Sequence, residues 1–332
     1  MNIEKLFTIL KEQPVYRVKQ VKTAIFKNLI DDWAGALNLP LTLREELNKD
    51  CPLQIDGQVF QSTDKSFKSL ITLADGLKIE SVLLGHKDGH HTICVSSQIG
   101  CPLKCGFCAT GQMGFKRNLT VWEIVMQVLF FLRYLKAKKI DLEKSINVVF
   151  MGMGEPFLNY DNVMAAIKIL NDKDGLNIGA RHISISTVGI IEGINKLAKE
   201  NLQVNLAISL HAPEDSLRSK LVPVNEKYSI GKILSAVDSY IEKTSRRVMF
   251  EYILVDGVND REKDAEQLAA LMDRPLYFVN LISYNPTGKF KPSSAENINR
   301  FRQTLQRSGI FVTQRYHFGG KIKAACGQLA GD

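Results

Sequence analysis

The feature that most constrains the fold is a strand-then-helix alternation beginning near residue 91. Apolar strand-like runs at Thr92–Val95, Ile146–Met151, His182–Ser186, Val204–Ser209, Val248–Leu254 and Phe278–Tyr284 alternate with helical patterns at Thr120–Leu135, Asp161–Leu170, Ile191–Lys199, Ile230–Lys243, Glu262–Met272 and Ala295–Ser308. Continuous apolar runs suit strands covered on both faces, and a parallel neighbour can be reached only by a crossover, usually helical. Six such units predict an α/β protein built on a partial (β/α)6 barrel. Chemistry in parallel α/β folds gathers at the carboxyl ends of the strands. Five motif stretches fall there: a cysteine-rich loop after the first strand, Gly152-Met-Gly-Glu155 after the second, Ser186-Thr after the third, Ser209-Leu-His211 after the fourth and Asn285-Pro after the sixth.

The loop after the first strand carries Cys101, Cys105 and Cys108 as C-x3-C-x2-C, in a chain with six cysteines among 332 residues. Buried cysteines that merely fill space have no reason to cluster. Structural zinc usually takes its ligands as two pairs, and no second C-x2-C or H-x3-H follows. Three thiolates on a four-iron cluster would leave one iron without a protein ligand, open to a small molecule. The spacing therefore favours an iron–sulfur cluster with a chemical role, with a three-Cys zinc site as the alternative.

The 43 basic against 35 acidic residues give a net charge of +8, which favours polyanionic partners by counterion release. No apolar run is long enough to cross a bilayer, and Glu4 and Lys5 interrupt the first apolar segment, so neither a signal peptide nor a membrane span is expected. Thiols kept for cluster assembly point to a reducing compartment, the cytoplasm. Residues 1–53 read as a small helical accessory domain. Val18, Val21, Ile25 and Leu29 keep near-helical spacing, and Thr42 with Glu45 matches a capping box. Arg17, Lys19, Lys22 and Lys27 there suit either an RNA backbone or a solvated, charge-mixed face. Residues 54–90 alternate polar and apolar residues, as in Ser69-Leu-Ile-Thr-Leu, and read as antiparallel strands linking two domains. His86, His90 and His91 have the spacing of an exposed turn. Residues 91–320 form the barrel core and 321–332 a C-terminal tail.

Six stretches occurring in one order carry a family resemblance: Cys94-Val-Ser-Ser-Gln, the cysteine triplet, Phe107-Cys-Ala-Thr-Gly, Gly152-Met-Gly-Glu-Pro, Ser209-Leu-His and Ala324-Ala-Cys-Gly-Gln-Leu. The triplet resembles the radical S-adenosylmethionine signature, and the whole set resembles the RlmN/Cfr family of RNA adenosine methyltransferases. The resemblance implies a [4Fe-4S] cluster on Cys101, Cys105 and Cys108. It implies S-adenosylmethionine held by Gly154, Glu155, Ser186, Ser209, Leu210, His211 and Asn285, with two equivalents used per turnover. Cys326 would carry the methyl group as S-methylcysteine, Cys94 would resolve a protein–RNA adduct through a transient disulfide, and Glu80 would accept a proton. Large-subunit rRNA or tRNA is the implied substrate, a flavodoxin or ferredoxin the electron donor, and the enzyme a monomer. Cys51 matches no family motif and reads as structural.

Pro156 after Gly154-Glu155 favours the RlmN branch, which methylates adenine C2, over a Cfr-type C8 methyltransferase. A non-catalytic RNA- or ribosome-binding iron–sulfur protein is the rival from another class. Lys116, Arg117, Arg218, Lys220, Lys289, Lys291 and Arg315 are candidate phosphate contacts near the rim. Two departures stand out. Lys321 and Lys323 replace acidic residues of the family before Cys326, and Glu80 is one residue further from Cys94 than the family spacing.

Overall fold

The computed structural model describes residues 3–140, 145–314 and 320–331. Its first unit is helical: α1 (Ile3–Lys11), α2 (Val15–Lys22) and α3 (Leu41–Asp50). α2 continues into a π turn over Thr23–Lys27, which buries Val21 and Ile25 as their spacing predicts. The turn ends at Leu29, whose φ of 53° lies in the left-handed region. The capping box expected at Thr42 is absent. α3 begins at Leu41 after Pro40, with no side-chain cap, so Thr42 is already helical and lacks the extended backbone a cap needs. A capping box does occur at Thr120, whose hydroxyl accepts the Glu123 N–H while the Glu123 carboxylate accepts the Thr120 N–H at 2.8 Å.

Strands β1 (Gly57–Gln61), β2 (Ser66–Thr72), β3 (Lys78–Gly85) and β4 (His91–Cys94) follow. The loop after β4 holds a two-stranded ribbon, β5 (Gln98–Ile99) with β6 (Arg117–Asn118), and the short helix α4 (Ala109–Gln112). The barrel then continues through α5 (Val121–Ala137), β7 (Ile146–Phe150), α6 (Tyr160–Asn171), β8 (Ile183–Thr187), α7 (Ile191–Leu197) and β9 (Asn205–Ser209). It ends with α8 (Asp215–Leu221), α9 (Ile230–Thr244), β10 (Val248–Leu254), α10 (Glu262–Met272), β11 (Tyr277–Ser283), α11 (Ala295–Arg307) and β12 (Val312–Gln314).

All six predicted strands form and lie parallel in the order β4-β7-β8-β9-β10-β11, and β12 adds a short parallel strand at one edge. The sheet is open, as a partial barrel requires. Segment 54–90 is not merely a link between domains: β1, β2 and β3 join the same ten-stranded sheet through antiparallel β3–β4 pairing. They occupy the β4 edge that would otherwise stand unpaired.

The helical unit shares the barrel's core. One apolar cluster runs from Leu6 through the strands to Leu329. α5 lies between the helical unit and the sheet and is apolar nearly all round, as a doubly covered helix must be. Arg133 on α5 donates to the carbonyls of Leu53, at 2.8 Å, and Ile30. Lys22 pairs with Asp172 at 2.6 Å. The His86 and His90 rings stack at 3.8 Å, and His86 Nε2 meets Thr92 Oγ1 at 2.9 Å. These histidines are half-buried rather than exposed, because the turn folds back on the start of β4.

Candidate active site

Five of the six cysteines, Cys94, Cys101, Cys105, Cys108 and Cys326, line one cavity at the carboxyl ends of the parallel strands. Gly154, Glu155, Ser186, Ser209, His211 and Asn285 line it too. Its empty volume, open mouth included, is about 1390 Å³. The sixth cysteine, Cys51, is fully buried beneath the helical unit, and its carbonyl accepts Trp33 Nε1–H at 2.8 Å. Among the described residues no disulfide is present.

Cys94 is the last residue of β4. The loop beyond it turns at Gly100, where φ is 70° and a Cβ would fall 1.7 Å from the Gly114 carbonyl oxygen. Only glycine lets the two limbs of the loop cross this closely. Burial raises the Cys101 thiol to about 12 and holds Cys105 well above its ordinary value, so both are neutral until a cation stabilises their thiolates. Among the described residues no three His, Cys, Asp or Glu side chains converge on a point to share a single ion. A cluster makes a different demand, since each thiolate takes its own iron. Three soft thiols on one cavity-lining loop fit that group. Asn285 Oδ1 is buried in the same cavity without a hydrogen-bond partner, an acceptor available to a ligand's N–H or O–H.

Glu155 follows Gly154, whose φ is 96° and whose Cβ would collide with Gln98. The Glu155 carboxylate accepts the N–H groups of Phe157 at 3.0 Å and Val188 at 2.9 Å, tying the β7 and β8 loops together. Burial nevertheless raises its pKa to about 7. Ser186 Oγ and Ser209 Oγ lie 3.2 Å apart across β8 and β9. His211 adopts a φ of 62°. Its Nδ1 accepts the Ile253 N–H at 3.1 Å, and its ring meets the Phe107 ring edge to face at 4.8 Å. Burial first, then the Arg218 charge, lower its pKa to about 3. It is therefore a neutral imidazole with its proton on Nε2. Asn285 Nδ2 donates to the Cys326 carbonyl at 3.2 Å.

Two predicted residues do not line the cavity. The Leu210 side chain is fully buried in the core, and its backbone bridges Glu251 and Arg218. Glu80 is buried on β3. Its Oε1 pairs with Lys68 Nζ at 2.5 Å, and its Oε2 accepts the N–H groups of Ala330 at 2.8 Å and Gly331 at 3.2 Å. Segment 320–331 is held elsewhere by Ala109 N–H on the Gly327 carbonyl at 2.7 Å and by Thr110 Oγ1 on the Leu329 carbonyl at 2.6 Å. The cavity also takes Thr187, Val188, Glu251 and Ile253 from the strand ends. Thr187 belongs to the Ser186-Thr stretch, whereas Val188, Glu251 and Ile253 belong to no stretch singled out in the sequence.

Arg218 is not a phosphate contact. It is fully buried, and its guanidinium donates to the carbonyls of Val188, Ser209, Leu210 and Tyr228 and to Asn225 Oδ1. Arg117 is paired with Asp75 at 2.7 Å and Glu123 at 2.8 Å, so its charge is largely offset. Lys116, Lys220, Lys289 and Lys291 are exposed. In the helical unit Lys19 and Lys27 are exposed too. Lys323 is exposed with a φ of 51°; Arg315 and the side chain of Lys321 lie outside the described residues.

Residues 95–269 match the model of the Radical SAM superfamily, a class of proteins that use a four-iron cluster and S-adenosylmethionine. The chain is 46% identical over 320 residues to the probable dual-specificity RNA methyltransferase RlmN of Dictyoglomus turgidum, covering 96% of this chain and 91% of that protein. It is 45% identical over 329 residues to the ribosomal RNA large subunit methyltransferase N of Nitrosopumilus maritimus, covering 96% and 93%. Its fold matches the crystal structure of a radical SAM methyltransferase from Sphaerobacter thermophilus with a TM-score of 0.94 and 43% identity, over 100% of this chain and 98% of that one. The chain belongs to the RlmN family of radical SAM RNA methyltransferases.

Proposed function

We propose that this enzyme methylates C2 of an adenosine in large-subunit rRNA, and in tRNA, with Cys326 as the methyl carrier. The observation that carries this reading is the meeting of Cys94 and Cys326 with the three cluster cysteines in one cavity. Adenine C2 is an electron-poor aromatic carbon with no lone pair to attack a sulfonium methyl, so polar transfer fails and a radical route is needed. Cys101, Cys105 and Cys108 would hold the cluster, which would supply the one-electron reduction of bound S-adenosylmethionine. Gly154, Glu155, Ser186, Ser209, His211 and Asn285 orient the cofactor, with Leu210 contributing through its backbone.

In this reading the Cys326 thiolate first takes the methyl group of one S-adenosylmethionine. A hydrogen atom would then be drawn from that methyl at the expense of a second equivalent, and the Cys326 methylene carbon would bond to adenine C2. Loss of the C2 proton to solvent and of one electron to a one-electron acceptor of the flavodoxin or ferredoxin class would give a thioether joining Cys326 to RNA. Attack of the Cys94 thiolate on the Cys326 sulfur forms a disulfide, and the departing methylene carbon takes up a proton to become the product methyl. The base must leave its stack to reach the cavity, which is cheapest in looped RNA. Exposed Lys116, Lys220, Lys289 and Lys291 are our candidates for phosphate contacts. A cytoplasmic setting with an external one-electron donor, a flavodoxin or ferredoxin, completes the reading.

The test is mass spectrometry of nucleosides from RNA incubated anaerobically with reconstituted enzyme, reductant and S-adenosylmethionine bearing a trideuterated methyl. C2-methyladenosine retaining two deuterons is expected. C8-methyladenosine, or a methyl retaining all three, would overturn the proposal.

A further inference from the structure

The three-cysteine loop alternates between two faces. Leu103, Cys105 and Phe107 line the reaction cavity, whereas Lys104 and Gly106 line a second, open groove, and Cys105 lines both. The loop is thus a wall one chain thick between the cavity and the groove. The opposite bank of the groove is the turn 287–289 after β11. Thr287 Oγ1–H donates to the Phe107 carbonyl at 3.3 Å, and the Gly106 N–H to the Leu221 carbonyl at 2.9 Å, so the wall is fastened from both sides.

Little side chain stands over Cys105 on this face. A Cβ at Gly111 would fall 3.0 Å from the Cys105 nitrogen, so only glycine lets α4 pack on that backbone. At Gly288, where φ is 107°, no heavy atom lies within 4 Å of where a Cβ would stand. The long side chains that do reach the groove are cationic. Lys104 and Lys289 are exposed, and Lys289 Nζ lies 3.8 Å from where a Gly106 Cβ would stand. Among the described residues no acidic side chain lines the groove. Exposed Lys220, whose carbonyl is 3.7 Å from the same point, and exposed Lys291 add to a positive field.

An electron must reach the three cysteines from outside, and in turnover the cavity takes RNA. A carrier entering by the same mouth would compete with RNA, whereas one seated in the groove meets Cys105 from the other side. We propose that the groove docks an acidic one-electron carrier protein, steered there by Lys104 and Lys289. The carrier is oxidised by one electron and the group held by the cysteines is reduced by one, with no bond or proton exchanged. The inference rests on the reading that Cys101, Cys105 and Cys108 hold a cluster fed by an external donor. RNA phosphate is the rival occupant, since Lys289 is also a candidate phosphate contact; the closeness of the groove to Cys105 and its separation from the cavity favour the carrier.

The test uses the cluster-loaded full chain as wild type, Lys104→Glu and Lys104→Glu/Lys289→Glu, with an acidic flavodoxin as the probe. Anaerobic calorimetry reads flavodoxin binding. Stopped-flow absorbance reads reduction by flavodoxin hydroquinone and, separately, by reduced methyl viologen, a small cation. Binding and flavodoxin-driven reduction should fall about tenfold or more in the double variant at low ionic strength, and the gap should narrow in salt, as steering by exposed charges does. In Lys104→Glu, iron content, reduction by viologen and affinity for an rRNA fragment should match wild type. Lys289→Glu, on a separate loop, carries the same binding test if Lys104→Glu loses iron.

Wild-type flavodoxin binding and reduction in the double variant would overturn the docking site. So would weakened RNA binding with flavodoxin binding intact, which would make the groove a phosphate track. If the wild-type chain takes up no iron, the cluster reading fails instead, while flavodoxin binding to the iron-free chain and its double variant still decides whether the groove is a dock.

Discussion

Replacing Arg218 tests how the cavity rim is held. The guanidinium is fully buried and donates to five acceptors: the carbonyls of Leu210 at 3.0 Å, Tyr228 at 3.2 Å, Val188 at 2.6 Å and Ser209 at 3.2 Å, and Asn225 Oδ1 at 2.8 Å. Burial lowers its pKa to about 10, so it stays charged at neutral pH. Arg218→Met keeps the apolar stem and removes every donor. At about 1 kcal/mol per carbonyl left short of its partner, the loss approaches 4 kcal/mol, and relief of the buried charge returns part of it, leaving about 2–4 kcal/mol. An unfolding entropy of about 0.7 kcal/mol/K for a chain of this length makes that a fall of about 3–6 °C in Tm. Val188, Ser209 and Leu210 are rim backbone, so S-adenosylmethionine binding should weaken by about tenfold or more, as a misplaced polar contact does. Thermal unfolding by circular dichroism and anaerobic calorimetric titration read the two effects. A variant melting within about 1 °C of wild type and binding the cofactor equally well would refute the argument.

Cys101→Ala should abolish cluster incorporation and reductive cleavage of S-adenosylmethionine, read from iron content and 5′-deoxyadenosine; retained cleavage would exclude the cluster assignment. Cys94→Ala should still acquire a methyl on Cys326 but accumulate covalent protein–RNA adduct on denaturing gels, and ordinary turnover would remove its resolving role. Glu155 has a pKa raised by burial to about 7, so its carboxylate ionises as pH rises through neutrality, and a cofactor ammonium favours the ionised form. Affinity for S-adenosylmethionine should therefore rise between pH 6 and 8 in wild type and lose that dependence in Glu155→Gln, by anaerobic titration; identical profiles would place the ammonium elsewhere.

The barrel was legible in the sequence because its strands are covered on both faces and its helices on one. That difference writes a local period into the chain, and β10 spans the predicted Val248–Leu254 without adjustment. The three-cysteine loop was equally plain, since three thiols within eight residues need no fold to bring them together. The rim motifs followed from a general rule about strand ends. Tertiary structure decided what depends on residues distant in sequence. Segment 54–90 alternates like any antiparallel strand set, and only the unpaired edge of β4 makes it part of the barrel sheet. Arg218 reads as one more surface cation, yet converging carbonyls from β8, β9 and the Tyr228 turn make burial of its charge possible. Glu80 carries no sign of its partners, because Lys68 meets it through sheet register and Ala330 through the return of a distant segment. Cys94 and Cys326 stand near opposite ends of the barrel sequence, and their sharing of a cavity is a property of the tertiary path of the chain.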